Sequence, residues 1–546
     1  MSSFSGVGVS SGRASGPVAR VAEALPEPAA APAPTDPAAE ARRIRPAAEA
    51  VADRLSERAG AVGGEAKALL ETTAAMALDP ALLSQAEQLV TGNSLPAARA
   101  VHEAANGFAE ALRSAGGYLA ERVRDIHDVR DRIIAELLGA TPPGVPDLER
   151  PSVLLARDLA PADTADLDPR LVLALVTEEG GPTSHTAILA RSLGIPAVVA
   201  ARGVLAAAPV VGATVDGDTG AVDTSSEAVR TQAAQRPTEV NWTGTGGTSD
   251  GHSVSILANV GSVADAHLAV EAGAQGVGLF RTEFCYLATD DEPDVPTQRA
   301  AYAGVLTPFA ERPVVVRTLD AGADKPLSFL DMGVEPNPAL GVRGLRICFE
   351  RPGVLDRQLE AIVAAAEESG AQVAVMAPMV ATADEASWFA ERVRAAGLGR
   401  AGVMIEVPAA ALAAHEILDA VDFVSIGTND LAQYVFAADR MSGALASLND
   451  PWQPALLRLI AQAGQAGQKL GKPVGVCGEA AADPLLAGVL TGLGVTSLSM
   501  TAAAVPAVGS ALAAHPLAAY QVAADAAQNA PSAARAREAA VTSLQA

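Results

Sequence analysis

Apolar positions recur every three or four residues through much of 38–140, as in AKALLETTAAMAL (66–78) and GYLAERVRDIHDVRDRIIAELLG (117–139). That spacing puts one apolar face on each helix and predicts an antiparallel helical bundle. Breaks are expected at Gly63-Gly64, near Asp79-Pro80 and at Gly92-Asn93, and TPPGVP (141–146) ends the segment. On either side the period changes. Residues 1–23 read as short extended segments with glycine turns, and 150–224 hold the β-rich runs SVLLA, LVLALVTEE, GIPAVVA and GATVDGDTGAV. One helix, SHTAILARSLG, lies between the second and third runs. Strands on both sides make the bundle an insertion into a small α/β domain. The Pro/Ala-rich stretch 24–37 is expected as a surface connection, because proline cannot sit inside a helix.

Beyond 250 the pattern alternates apolar β-type runs with helical stretches: SVSILANV, QGVGLF, PVVVRTL, QVAVMAPMV, AGVMIEV, VDFVSIG, KPVGVC and GVTSLSM. Eight such runs over this length predict a (β/α)8 barrel. The expected fold class is therefore multidomain α/β. Residues 1–23 plus 147–224 form the small α/β domain, 24–146 the inserted helical domain, 225–250 a polar linker, and 251–546 the C-terminal barrel.

Composition narrows the function classes. The 546 residues exceed one compact core, and no apolar run approaches the ~20 residues of a membrane helix. The N-terminus lacks a basic stretch followed by an apolar one, so no secretory signal is read. The three cysteines, Cys285, Cys348 and Cys477, have no paired spacing, which fits a reducing cytoplasm and excludes a disulfide framework or zinc site. A net charge of −24 disfavours nucleic acid and anionic membranes, and suits a basic protein partner.

Polar residues cluster just after the barrel runs: Arg281 and Glu283, Arg317 and Asp320, Glu406, then Thr428-Asn429-Asp430, then Cys477 and Glu479. In this architecture the C-terminal strand ends build the active site. Arg281, Arg317 and Arg440 are guanidinium forks suited to phosphate and carboxylate oxygens. Glu406 and Asp430 are hard oxygen ligands suited to Mg²⁺. Lys325 is a further anion-contact candidate; lysine is rare here, with Lys67, Lys469 and Lys472 the others. Cys477 in such a mouth is placed to give a proton to an enolate-like carbon. The second centre is GGPTSHTAILARSLGIPA (180–197), where a tight turn leads into a helix beginning at or beside His185. Free N–H groups there favour a phosphoryl dianion, and a neutral imidazole is a competent nucleophile toward phosphorus. The other six histidines carry no such surroundings and read as structural.

Taken in order, GVGVSSGRASG, GGPTSHTAILARSLGIPAVV, GVGLFRTEF, VVVRTLDAGADKP, NPALGVRGLR, IEVPAA, SIGTNDLAQY, AADR and VCGEAAADP resemble the enzyme I family of phosphoenolpyruvate-protein phosphotransferases across nearly the whole chain. The resemblance implies that His185 is phosphorylated on Nε2 by phosphoenolpyruvate with release of pyruvate. It implies that Arg281, Arg317, Asn429, Asp430 and Arg440 contact the substrate. Glu406 and Asp430 would bind Mg²⁺, and Cys477 would protonate the enolpyruvate. The inserted bundle would dock the carrier protein HPr, the first step of sugar uptake by the phosphotransferase system, and the barrel would form a homodimer. Pro182 stands where many members carry Arg, and Ala323 where a glycine is common. Dikinase-type relatives with an ATP domain have no counterpart in 1–150, which lacks a Gly-rich nucleotide loop. A non-catalytic phosphoenolpyruvate sensor is the reading from a different class, and the complete set of polar residues argues against it. The sequence favours the sugar-system HPr over a nitrogen-related paralogue without deciding which sugars lie downstream.

Overall fold

The computed structural model describes all residues except 1, 11, 23–25, 29–31, 61–63, 116–122, 147, 160–166, 169, 182–184, 208, 209, 218, 228, 232–241, 287–290, 323–326, 328, 331, 332, 334, 441, 443, 444, 446 and 546. It also omits the side chains of 64–69, 111–115, 124, 185, 188, 191 and 192. The chain divides into two units, 1–236 and 237–546.

In the first unit, β1 (Ser2–Ser5), β2 (Val7–Ser10) and β3 (Arg13–Arg20) precede the helices. After them come β4 (Ser152–Ala156), β5 (Val172–Thr177), β6 (Ala197–Val199), β7 (Gly212–Asp216) and β8 (Ala221–Ser225). They form one sheet in the order β1-β8-β7-β3-β4-β5-β6-β2. β3 and β4 are parallel neighbours, with Val18 opposite Val153, so the helices between them in sequence leave and rejoin the sheet at adjacent strands. Alternation along β4 explains its unbroken apolar run. Val153 and Leu155 enter one core and Leu154 and Ala156 the other, so both sheet faces are covered. GATVDGDTGAV, read as one run, is an antiparallel hairpin of β7 and β8, because its Gly and Asp residues supply the turn.

The intervening helices are Pro37–Ala41, Ile44–Gly60, Gly64–Ala77, Pro80–Asn93, Ala97–Ala115 and Val123–Leu138. Asp79 caps the fourth by accepting from Ala81 N and Leu82 N, each at 2.9 Å. Their shared core joins Ile44, Val51, Leu55, Leu70, Leu82, Val90, Val101, Val129 and Ile133 with many alanines, which let the helices approach closely.

The second unit is a closed barrel of eight parallel strands: β9 (Ser255–Val260), β10 (Val277–Arg281), β11 (Pro313–Arg317), β12 (Gln372–Ala377), β13 (Ala401–Ile405), β14 (Phe423–Gly427), β15 (Val474–Cys477) and β16 (Ser497–Met500). Trp242 donates to Ala272 O at 3.1 Å, so the chain is packed on the barrel unit by that residue. Among the described residues no single helix is long and apolar enough to cross a membrane. The apolar helices Val505–Leu512 and Leu517–Gln528 bury Val505, Val508, Leu512, Tyr520 and Ala523 in the barrel core.

Candidate active site

The strand ends β10, β11, β13, β14 and β15 deliver their polar residues to one mouth. Glu283, just past β10, pairs with Arg317, the last residue of β11. The Arg317 guanidinium also lies 3.3 Å from Asp320. Asp320 receives both prongs of Arg343, at 3.0 and 3.1 Å. Arg343 continues to Asp430 at 3.2 Å and to the Tyr434 hydroxyl at 3.3 Å. Asp430 is 3.2 Å from Arg440 in turn. Acid and guanidinium thus alternate from Glu283 to Arg440 with charges matched. Such matching is what allows buried charge to persist, since an isolated ion in a low-dielectric interior is costly. Arg317 and Arg343 are 6% and 1% exposed. These arginines are therefore built into the molecule rather than displayed on it.

Glu406 follows β13 and is fully buried. Its Oε1 accepts from Met379 N at 2.7 Å, while Oε2 has no hydrogen-bond partner. Burial, with Asp430 and Asp320 nearby, pushes its carboxyl up to about 7, against the pull of Arg317 and Arg343. Asp430 Oδ1 is also buried without a hydrogen bond, though it faces Arg343. Glu406 Oε2, which has no donor, and Asp430 Oδ1, which has only the Arg343 guanidinium beside it, fit a hard divalent cation. Among the described residues no three metal-ligating groups converge. That donor set fits Mg²⁺, which takes one or two carboxylates and completes its shell with water and substrate oxygens. Gly427 leaves room beside it: a Cβ there would stand 2.7 Å from Glu406 Oε2, so that side chain would have to shift.

Cys477 ends β15 and is buried. Ser425 Oγ donates to its Sγ at 3.3 Å, and the thiol points to Ile426 O at 3.6 Å. Burial pushes the thiol up; the Ser425 contact opposes this, Glu406 adds to it, and Arg317 and Arg281 oppose it. A thiol held protonated is suited to give its proton away rather than to attack. Asn429 is the second residue of the helix Thr428–Phe436. Gly478, at φ +113°, packs against it: a Cβ there would lie 3.3 Å from Asn429 Oδ1. Arg281 is exposed at the end of β10.

The structure thus gathers Arg317, Asp430 and Arg440 into one network. It sets Glu406, Cys477 and Asn429 at neighbouring strand ends, with Arg281 on the rim. Arg343 is the residue that strand-end reasoning missed. It lies in the loop NPALGVRGLR, far from its strand in sequence, and only that motif marks it. His185 begins the helix His185–Leu193, in the crossover from β5 to β6. Its side chain lies outside the described residues, as do Pro182, Thr183, Ser184, Ala323 and Lys325.

Three family models match in chain order: "PEP-utilising enzyme, N-terminal" over 5–122, "PEP-utilising enzyme, mobile domain" over 148–220 and "PEP-utilising enzyme, PEP-binding domain" over 238–516. Fold and site therefore define a phosphoenolpyruvate-utilising enzyme. A phosphoenolpyruvate-protein phosphotransferase of Streptomyces coelicolor is 54% identical over 98% of both chains. Those of Haloferax volcanii and Bacillus subtilis are 40% and 38% identical, covering 84% and 78% of this chain and 84% and 79% of their own. The chain belongs to the phosphoenolpyruvate-protein phosphotransferase family, and its chemistry is phosphoryl transfer from phosphoenolpyruvate.

Proposed function

We propose that the chain phosphorylates itself on His185 from phosphoenolpyruvate and passes the group to a histidine of the carrier protein HPr, opening sugar uptake in the cytoplasm. The observation that carries this reading is the alternation of acids and arginines at the strand ends, with the unpartnered Glu406 Oε2 beside it. With Mg²⁺ at Glu406 and Asp430, Arg281, Arg317 and Arg440 would give the mouth the positive charge that a substrate with both a phosphate and a carboxylate needs.

In this reading Arg281 and Arg317 receive the phosphate, with Asn429, Asp430 and Arg440 orienting the rest of the substrate. Mg²⁺ held by Glu406 and Asp430 would neutralise charge growing on the substrate oxygens, the main catalytic need of phosphoryl transfer. The His185 imidazole attacks phosphorus as the bond to the enol oxygen breaks. Cys477 gives its proton to the methylene carbon of the enolate, which leaves as pyruvate, and the thiolate recovers a proton from water. The helices of 24–146 serve as the dock for HPr, and 1–23 plus 147–224 carry His185 between the two sites across 225–250. The barrel, 251–546, also supplies the homodimer contact.

The test uses phosphoenolpyruvate labelled in its phosphate, with Mg²⁺ and purified HPr. The label is expected first on this chain and then on HPr, with one pyruvate formed for each phosphoryl group moved. A chain that labels itself and leaves HPr unlabelled contradicts the carrier step.

A further inference from the structure

Behind the mouth lies a polar cluster that the chemistry above does not use. Thr282, Tyr286, Gln298, Tyr302 and Gln358 are all buried to within 1% in the apolar interior between barrel and helices. Their bonds close on one another. Gln358, on the helix Pro352–Ser369, donates from Nε2 to Thr282 Oγ1 at 3.0 Å and to the Tyr302 hydroxyl at 3.1 Å. Its Oε1 accepts from Leu319 N at 3.0 Å. Thr282 Oγ1 donates onward to Arg317 O at 2.8 Å. Tyr302 and Tyr286 both donate to Gln298 Oε1, at 3.1 and 2.8 Å, and Gln298 Nε2 is held by Pro293 O at 2.8 Å.

The residues this amide grips are informative. Thr282 lies between Arg281 and Glu283, and Leu319 lies between Arg317 and Asp320. One side chain therefore ties together the two segments that carry four charged groups of the mouth. The ladder between β10 and β11 is irregular between Val277 and Phe280, resumes with Arg281 opposite Arg317, and ends there, so Thr282 and Leu319 lie beyond it. β10 slips against β9 as well. Past the last paired residues, side-chain hydrogen bonds are what tie the two segments to each other. A buried network with every partner satisfied is stiff, and losing one member leaves desolvated polar groups behind.

We propose that Gln358 is a positioning residue: its amide sets the spacing of Arg281 and Arg317 by clamping Thr282 and Leu319. This rests on the reading that those two arginines receive the substrate phosphate. Displacement of charged groups by about 1 Å costs up to ~100-fold in rate, so the supporting amide should be visible in kinetics.

The experiment follows single-turnover phosphorylation of the full chain against phosphoenolpyruvate concentration, with saturating Mg²⁺. Gln358→Met keeps the length of the side chain and removes its hydrogen bonds. It is expected to raise half-saturation about tenfold or more. Ala365→Gly weakens the same helix at a buried position without touching the amide, and is expected to keep half-saturation within twofold of wild type. A Gln358→Met protein that also stays within twofold overturns the proposal. So does an Ala365→Gly protein that shifts as far as Gln358→Met, since the effect would then be loss of stability alone. If Gln358→Met does not fold, Thr282→Val cuts the same link from the other end and is read by the same criteria. Arg317→Met is run alongside. Wild-type half-saturation in that variant would sink the arginine reading itself, and so separates that failure from a failure of the clamp.

Discussion

Arg343 shows how much one side chain holds. It is shared by Asp320 and Asp430, and each of those acids also faces another arginine. Replacing it with Met removes the central guanidinium while the acids remain buried. Breaking a buried ion pair from one side costs about 3–5 kcal/mol, so urea unfolding of Arg343→Met should show a loss of that order. A loss under about 1 kcal/mol would mean that solvent screens the network. Gly427 makes the same point for the carboxylates. The Cβ of Gly427→Ala would stand 2.7 Å from Glu406 Oε2 and 2.9 Å from Met404 Cε, so the carboxylate must turn away. The Mg²⁺ concentration for half-maximal activity should rise about tenfold or more in Gly427→Ala. An unchanged value would remove Glu406 from the metal site.

The helix Val295–Leu306 carries Gln298 and Tyr302 and is held at its start by Asp294, which accepts from Thr297 N at 2.9 Å. The Thr297 side chain and backbone N–H depress the Asp294 carboxyl below its ordinary value. A depressed folded-state value means that its contribution to stability is present above the unfolded carboxylate range and is lost as pH falls through the folded value. In Asp294→Asn the cap remains and this acid-side dependence disappears, which urea midpoints below pH 5 would reveal. Elements of this kind were readable because buried parallel strands are short apolar runs bounded by Gly and Pro, and all eight barrel strands fall in the runs expected for them. The β7–β8 hairpin was read as one run, although Asp216-Gly217, where its first strand ends, and Gly220, before its second, are turn residues. Arg281, Arg317, Glu406, Asp430 and Cys477 could be picked out because each stands at or just past a strand end. Arg343 and Gln358 could not. One sits in a loop distant in sequence, and the other occupies a helix position where periodicity calls only for burial.

At the scale of the molecule, the units 1–236 and 237–546 have separate cores, so heat should unfold them as separable events. In the proposed division of labour only the barrel binds phosphoenolpyruvate. Calorimetry with Mg²⁺ and phosphoenolpyruvate should therefore raise the transition of the barrel, by about 2.7 kcal/mol at one hundred times the dissociation constant, and leave the other in place. A matching rise in both transitions would place the ligand elsewhere. In the proposed reaction His185 links the chemistry of the two units. The most direct measurement is mass spectrometry of the acid-labile phosphate formed after incubation with phosphoenolpyruvate and Mg²⁺. One phosphoryl group on the peptide containing His185, absent from His185→Ala, is the predicted result. Phosphate on another residue, or a His185→Ala protein labelled as fully as wild type, would contradict the account.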